Sequence, residues 1–152
     1  MRGVWVLGLL AAGLAGCVPI TQIRPENLRP GQAGAAAAFC TARASGDAEA
    51  VAALFVPEVA AALRAEAAAG RPLPLQSAGR SGPCTGDRLW AWGGSRSFAE
   101  VRYAGGSDGL DLWLSGQGLI ADLVYGDGSG TLRERLGVPS HTVPPPAGLF
   151  RR

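Results

Sequence analysis

LDLWLSGQGLIADLVY, residues 110–125, places leucines at alternate positions, breaks at a glycine-containing tetrapeptide, and then resumes an apolar run. Apolar residues two apart put one side of an extended chain on a core, and the break supplies a hairpin turn. In Ser115-Gly116-Gln117-Gly118, glycine at the first central position fits a two-residue type II′ turn. Pairing outward from that turn sets Leu114 opposite Leu119, Leu112 opposite Ala121 and Leu110 opposite Leu123. A preceding turn through Gly105-Gly106-Ser107-Asp108 sets Val101 opposite Leu112 and Arg102 opposite Asp111. Val101, Leu110, Leu112, Leu114, Leu119, Ala121 and Leu123 then share a core face. Arg102, Asp111, Trp113, Ile120 and Asp122 share the other.

Short runs at 88–92 and 97–103, bounded by glycine turns, extend this meander to about four strands. Upstream the period lengthens. GAAAAFCTARA, residues 34–44, predicts a short helix packing through Phe39 and Cys40 and ended by Ser45-Gly46. Asp47 is placed to cap a second helix over 48–55, where Val51, Leu54 and Phe55 fall on one face. Pro57 suits the first turn of a further helix that runs until Gly70, so that two helices meet at Val56-Pro57 or one is kinked there. Residues 70–86 read as a loop, and 131–136 as a closing helical turn or a short last strand. The expected class is α+β, with N-terminal helices packed on a curled antiparallel sheet of about four strands. One domain, residues 33–137, accounts for all of it, followed by a proline-rich tail over 138–152.

At 152 residues the chain is long enough for one domain and too short for two ordinary ones. Its 14 basic residues, all arginine, nearly balance 12 acidic ones, so nothing in the charge favours nucleic acid as a partner.

The amino terminus places one arginine, Arg2, ahead of an apolar run of roughly ten residues, whereas a membrane-crossing helix needs about 20. A short apolar core behind a positive end is the pattern of an export signal. Its last four residues, Leu14-Ala15-Gly16-Cys17, resemble the lipobox of bacterial lipoproteins. The resemblance implies cleavage after Gly16, removal of 1–16, and lipidation of Cys17. Two or three acyl chains would hold the protein stably on a membrane. Val18 stands where aspartate favours retention in the inner membrane, so in a Gram-negative host the expected site is the outer membrane, facing the periplasm. Residues 17–32, with three prolines, read as an extended tether, or alternatively as a first strand or partner-binding arm.

With Cys17 assigned to lipid, Cys40 and Cys84 remain, and an oxidising compartment makes them a disulfide pair between the first helix and the loop before the sheet. Neither belongs to a CxxC motif and no spaced histidines accompany them, so no metal and no cofactor is expected. His141, the single histidine, lies in the proline-rich tail, away from any nucleophile. Asp111 and Asp122, facing each other with Arg102 beside them, are candidates for an acid and base pair or for a solvated outer face. Trp113 and Ile120, rimmed by Arg102, Asp111 and Asp122, form a candidate contact surface for a protein partner or a homodimer. Trp90 and Trp92 share a sheet face and either line a pocket or fill core. The glycine-aspartate runs at 105–112 and 126–130 read as turns rather than calcium loops.

Phe39 to Ala69, with Ser45-Gly46-Asp47 and Leu54-Phe55-Val56-Pro57, resembles the opening of nuclear-transport-factor-2-like domains. That resemblance implies helices covering a curled sheet around a cone-shaped pocket, in a fold that serves enzymes and non-enzymes alike. The acid and tyrosine constellation of its isomerases is not matched. Two functions are therefore expected in order: a surface-tethered, non-catalytic binding domain in the cell envelope, and a pocket enzyme of isomerase or cyclase type using Asp111 or Asp122. A third is a tail, ending at Arg152, that docks elsewhere.

Overall fold

The computed structural model describes residues 20–29, 31–76, 82–92, 96–104 and 109–140. Its class is α+β. Strands β1 (Ile20–Gln22), β2 (Cys84–Trp92), β3 (Arg96–Tyr103), β4 (Gly109–Leu114) and β5 (Ile120–Tyr125) form one antiparallel sheet in chain order. The sheet has five strands where about four are expected, and the added one, β1, comes from residues read as a tether or alternatively as a first strand. Ile20, Thr21 and Gln22 pair with Trp92, Ala91 and Trp90, covering the open edge of β2. After it, Pro25–Asn27 makes a single 3-10 turn, and the buried Gln32 amide donates to Ser97 Oγ at 2.8 Å. The domain therefore begins by Ile20, not at 33.

The helices start and stop where local chemistry directs. Gly34 and Gly46, both with positive φ, bracket α1 (Ala35–Ser45). Asp47 Oδ1 accepts from the backbone N–H of Glu49 and Ala50 and so caps α2 (Ala48–Ala52). This helix ends three residues before Phe55, because the chain there turns to the sheet. Ile120 donates to Leu54 O at 2.8 Å and accepts from Val56 N–H at 2.9 Å, a one-residue parallel bridge beside β5. Pro57 then opens α3 (Pro57–Ala68). Phe39, Val51, Phe55, Val59 and Leu63 pack from the helices onto Val101, Leu110, Leu112 and Leu123. Phe39 and Phe55 meet edge to face at 6.4 Å.

The β4–β5 turn departs from the expected one. Ser115 N–H donates to Leu119 O and Gly118 N–H to Ser115 O, which encloses three residues instead of two. The positive φ falls at Gly118, not Gly116. Leu114 consequently faces Ile120, a bulge at Ala121 follows, and beyond it Trp113 faces Asp122 and Leu112 faces Leu123. The bulge turns Ile120 from the outer face into the core. The β3–β4 register also differs by two residues, with Val101 opposite Leu110 and Arg102 opposite Gly109, a shift that leaves every side chain on its expected face.

α4 (Leu132–Leu136) closes the domain behind a capping box, Thr131 accepting from Glu134 N–H while Glu134 accepts from Thr131 N–H. Val138 packs against the core, and its N–H donates to Arg133 O at 2.9 Å, so the domain runs past 137.

Gly86 sets the distance between α1 and the sheet. A Cβ on it would lie 2.2 Å from the Ala36 Cβ and 3.1 Å from the Glu100 carbonyl oxygen. Replacing Gly86 with valine is expected to lower unfolding free energy by about 2 kcal/mol through overpacking. Urea denaturation checks this; an unchanged midpoint would mean that α1 can lift without loss.

Candidate functional site

The outer face of the sheet gathers most of the residues singled out from the sequence. Trp90, Phe98, Trp113 and Asp122 are successive partners across β2 to β5 and form one row. The Trp90 and Phe98 rings stack at 6.5 Å, and Phe98 lies 5.1 Å from Trp113. Phe98, Trp113 and Val124 form a buried cluster separate from the main core, with Trp90 packed against it. Trp90 thus fills core; the side chain of Trp92 lies outside the described residues.

The expected contact surface does not exist as drawn. Ile120 is 1% exposed on the opposite face, turned there by the Ala121 bulge. Trp113, Asp111 and Asp122 are buried, and among the five Arg102 alone reaches solvent. Nor do the two aspartates face each other. Asp111 lies between Glu100 and Val124, because the true register is shifted by two. Arg102 is held by Glu100, with Nε and Nη2 donating to Oε1 at 3.1 and 2.8 Å. Glu100 Oε2 accepts from Trp90 Nε1 at 3.4 Å. Glu100 is not among the residues expected at this site, although a carboxylate two residues before Arg102 on a strand must share its face.

Asp122 has a structural task. Its Oδ1 accepts from the N–H of Leu123 at 2.8 Å and of Arg133 at 3.0 Å, joining β5 to the start of α4. Its Oδ2 is buried without a hydrogen bond. Burial pushes the carboxyl above its ordinary value of 3.8, and the two N–H donors, the Arg133 charge and the Thr131 side chain oppose that rise. Because the folded protein holds this proton more tightly than the unfolded chain, the group's contribution to stability is full below 3.8 and is lost as pH rises through its folded value. Wild type should therefore lose stability relative to Asp122→Asn as pH rises from 3 to 7. Urea midpoints of both proteins across that range test this, and a constant difference would contradict it.

Arg133, also unremarked in the sequence, is 6% exposed. Its Nε donates to Ala121 O at 2.8 Å, Nη1 to Pro139 O at 2.6 Å and Nη2 to Glu58 Oε1 at 2.6 Å. Cys40 and Cys84 are bonded, their Cα atoms 5.4 Å apart. Cys84 is the first residue of β2, so the bridge ties α1 to the sheet itself and not to a preceding loop.

A shallow cleft of about 530 Å³ opens where residues 73–76 cross between α1, α2 and the sheet. Arg43 lies over the Tyr103 ring at 5.0 Å and donates to Gly82 O and Gln76 Oε1. The hydroxyls of Tyr103 and Tyr125 donate to the carbonyls of Leu75 and Pro74, which pins this strap. Burial pushes both phenols above their ordinary value. Beneath the strap, Leu63, Leu110, Leu112, Leu123 and Tyr125 are each 0% exposed, so the space between helices and sheet is packed. Neither Asp111 nor Asp122 lines this cleft.

Among the described residues no group of acidic, cysteine or histidine side chains is arranged to hold a metal ion, and no helix is long and apolar enough to cross a membrane. Cys17 and His141 lie outside the described residues. No protein-family model matches the chain, and no curated protein or solved structure matches it.

Proposed function

We propose that this protein is a lipid-anchored lipoprotein of the cell envelope whose α+β domain binds a ligand or partner and does not catalyse a reaction. The observation that carries the reading is Leu14-Ala15-Gly16-Cys17 behind a positively charged, apolar export signal. The Cys40–Cys84 bridge supports it, since such a bond persists in an oxidising compartment. In a Gram-negative host, Val18 after the lipidated cysteine directs the protein to the periplasmic side of the outer membrane. The resemblance of residues 39–69 to nuclear-transport-factor-2-like domains is kept as part of this reading, with the space between helices and sheet packed where that fold would hold a pocket.

The enzyme reading has one observation on its side, the buried and raised carboxyl of Asp122. Against it, Oδ1 of that carboxyl is committed to two backbone N–H groups, and a proton-transferring acid needs a cavity where substrate can reach it. The binding reading is therefore preferred.

Cys17→Ser tests the anchor. Metabolic labelling with a fatty acid and fractionation of membranes should show loss of label, loss of processing after Gly16, and accumulation of the longer precursor. Unchanged labelling and membrane partition in the variant would refute lipidation at Cys17.

A further inference from the structure

The first part of the domain forms a second cleft, of about 250 Å³, between β1, the 3-10 turn and the start of β3. Arg24, Arg29 and Arg96 line it together with Asn27, Gln32 and Ser97, and no carboxylate is among the described residues that do so. All three arginines are exposed, while Gln32 and Ser97 are 7% and 6% exposed and form the floor. The nearest acid in sequence, Glu26, lies 4.0 Å from Arg24 as a solvent-exposed pair.

The floor is polarised in one direction. Gln32 Oε1 accepts from the Arg29 N–H at 2.8 Å, which fixes the amide so that its NH₂ group turns toward Ser97. Ser97 Oγ accepts one of those protons at 2.8 Å, leaving the hydroxyl proton to be donated. The acceptor of the buried pair is thus consumed by backbone, and its remaining capacity is that of a donor. Three guanidiniums, an Asn27 amide and a hydroxyl around one small volume favour a ligand that accepts hydrogen bonds and carries negative charge. Guanidinium forks match the oxygens of phosphate especially well.

We propose that this cleft binds the phosphate of an anionic phospholipid headgroup at the membrane surface. The chemistry recognised is the phosphate; the headgroup as its source rests on the lipid-anchor reading above. Cys17 precedes Ile20 by three residues, at most about 11 Å of extended chain. Because β1 is hydrogen-bonded into the sheet, the anchor cannot hold the domain far from the lipid. Thr21 and Gln22, which also line the cleft, directly follow that short leash. The domain is thereby laid on the bilayer with its arginine cleft beside the headgroups.

The test uses the full chain purified in a non-ionic detergent. It is titrated calorimetrically with dihexanoylphosphatidylglycerol, dihexanoylphosphatidylcholine and inorganic phosphate. The anionic lipid is expected to bind more tightly than the zwitterionic one. Arg24→Gln with Arg29→Gln should weaken it about 25-fold, near fivefold for each charge removed. Ser97→Ala should weaken it about fivefold. Arg64→Gln, which removes an α3 arginine paired with Glu49 of α2, should leave binding unchanged. Thermal midpoints of the exposed-arginine variants should equal that of wild type. Equal affinity in wild type and the double variant, or no binding of any probe, would overturn the cleft as a phosphate site. Binding of inorganic phosphate without the anionic lipid would overturn the headgroup as its source. The mass of the N-terminal peptide, read on the same preparation, reports Cys17 lipidation independently, so a failed anchor and a failed cleft are told apart.

Discussion

Replacing Cys40 and Cys84 together with alanine is expected to lower the free energy of unfolding by about 4 kcal/mol. The bridge spans a sequence separation of 44, and opening it returns that loop's freedom to the unfolded chain. What remains to hold α1 is modest. Its buried residues are Ala36, Phe39 and Cys40, and alanine removes little apolar surface from water. The helix lies on Gly86, where the sheet offers no side chain to grip, two residues from the bridge. Phe39 is therefore the main apolar anchor left after the substitution. A domain of this size shifts its melting temperature by roughly 4 °C for each kcal/mol, so the midpoint should fall by about 15 °C. Calorimetry of the wild type, the reduced wild type and the double variant checks this. Agreement between the last two, both far below the oxidised protein, is expected. A fall of less than about 3 °C in both would show that the folded domain does not depend on the bond.

Much of this architecture is legible in the sequence because it rests on local signals. Asp47 before an apolar period, Pro57 at a helix start and Gly46 and Gly70 at helix ends each act within a turn of their own position. The disulfide follows from counting, once Cys17 is set aside. What escaped depends on contacts distant in sequence. Whether the turn after Ser115 holds two residues or three is decided by Gly118, whose backbone lies against Gly31 and has a positive φ. That approach is invisible in the hairpin alone, yet it brings the bulge that moves Ile120 into the core. The aspartate pair failed for the same reason, since a register error of two keeps faces intact while changing every partner. β1 is legible only as the alternative to a tether, because prolines flank it. A three-residue strand flanked by Pro19 and Pro25 has the composition of a tether, and only the open edge of β2 gives it a structure. With it the arginine cleft is hidden too, because its residues come from 21–32, from β2 and from β3.

Arg133→Met is expected to cost about 3 kcal/mol of stability, and the pattern among companion variants identifies why. The bulge at Ala121 breaks the β4–β5 ladder, and its carbonyl must find a donor elsewhere. Arg133 Nε supplies one, while Nη1 and Nη2 hold Pro139 O and Glu58. Removing the guanidinium leaves the Ala121 carbonyl unsatisfied in a partly buried site and frees α4 from α3. The ion pair is the smaller part of this. Glu58 is half exposed and water can replace its partner, so Glu58→Gln should cost no more than about 1 kcal/mol. Arg133→Lys keeps the charge but presents it as a point, and one ammonium cannot meet three acceptors lying in different directions. It should lose more than half of what methionine loses. Methionine keeps the bulk of the side chain, so the loss cannot be ascribed to a cavity. Urea denaturation of the four proteins separates the two origins. If Glu58→Gln and Arg133→Met cost the same, the salt bridge carries the effect and the bulge carbonyl needs no donor. If lysine restores wild-type stability, charge alone suffices. A large loss with methionine, an intermediate one with lysine and a small one with glutamine would identify Arg133 as the group that makes the bulge tolerable, and with it the inward turn of Ile120 on which the core is built.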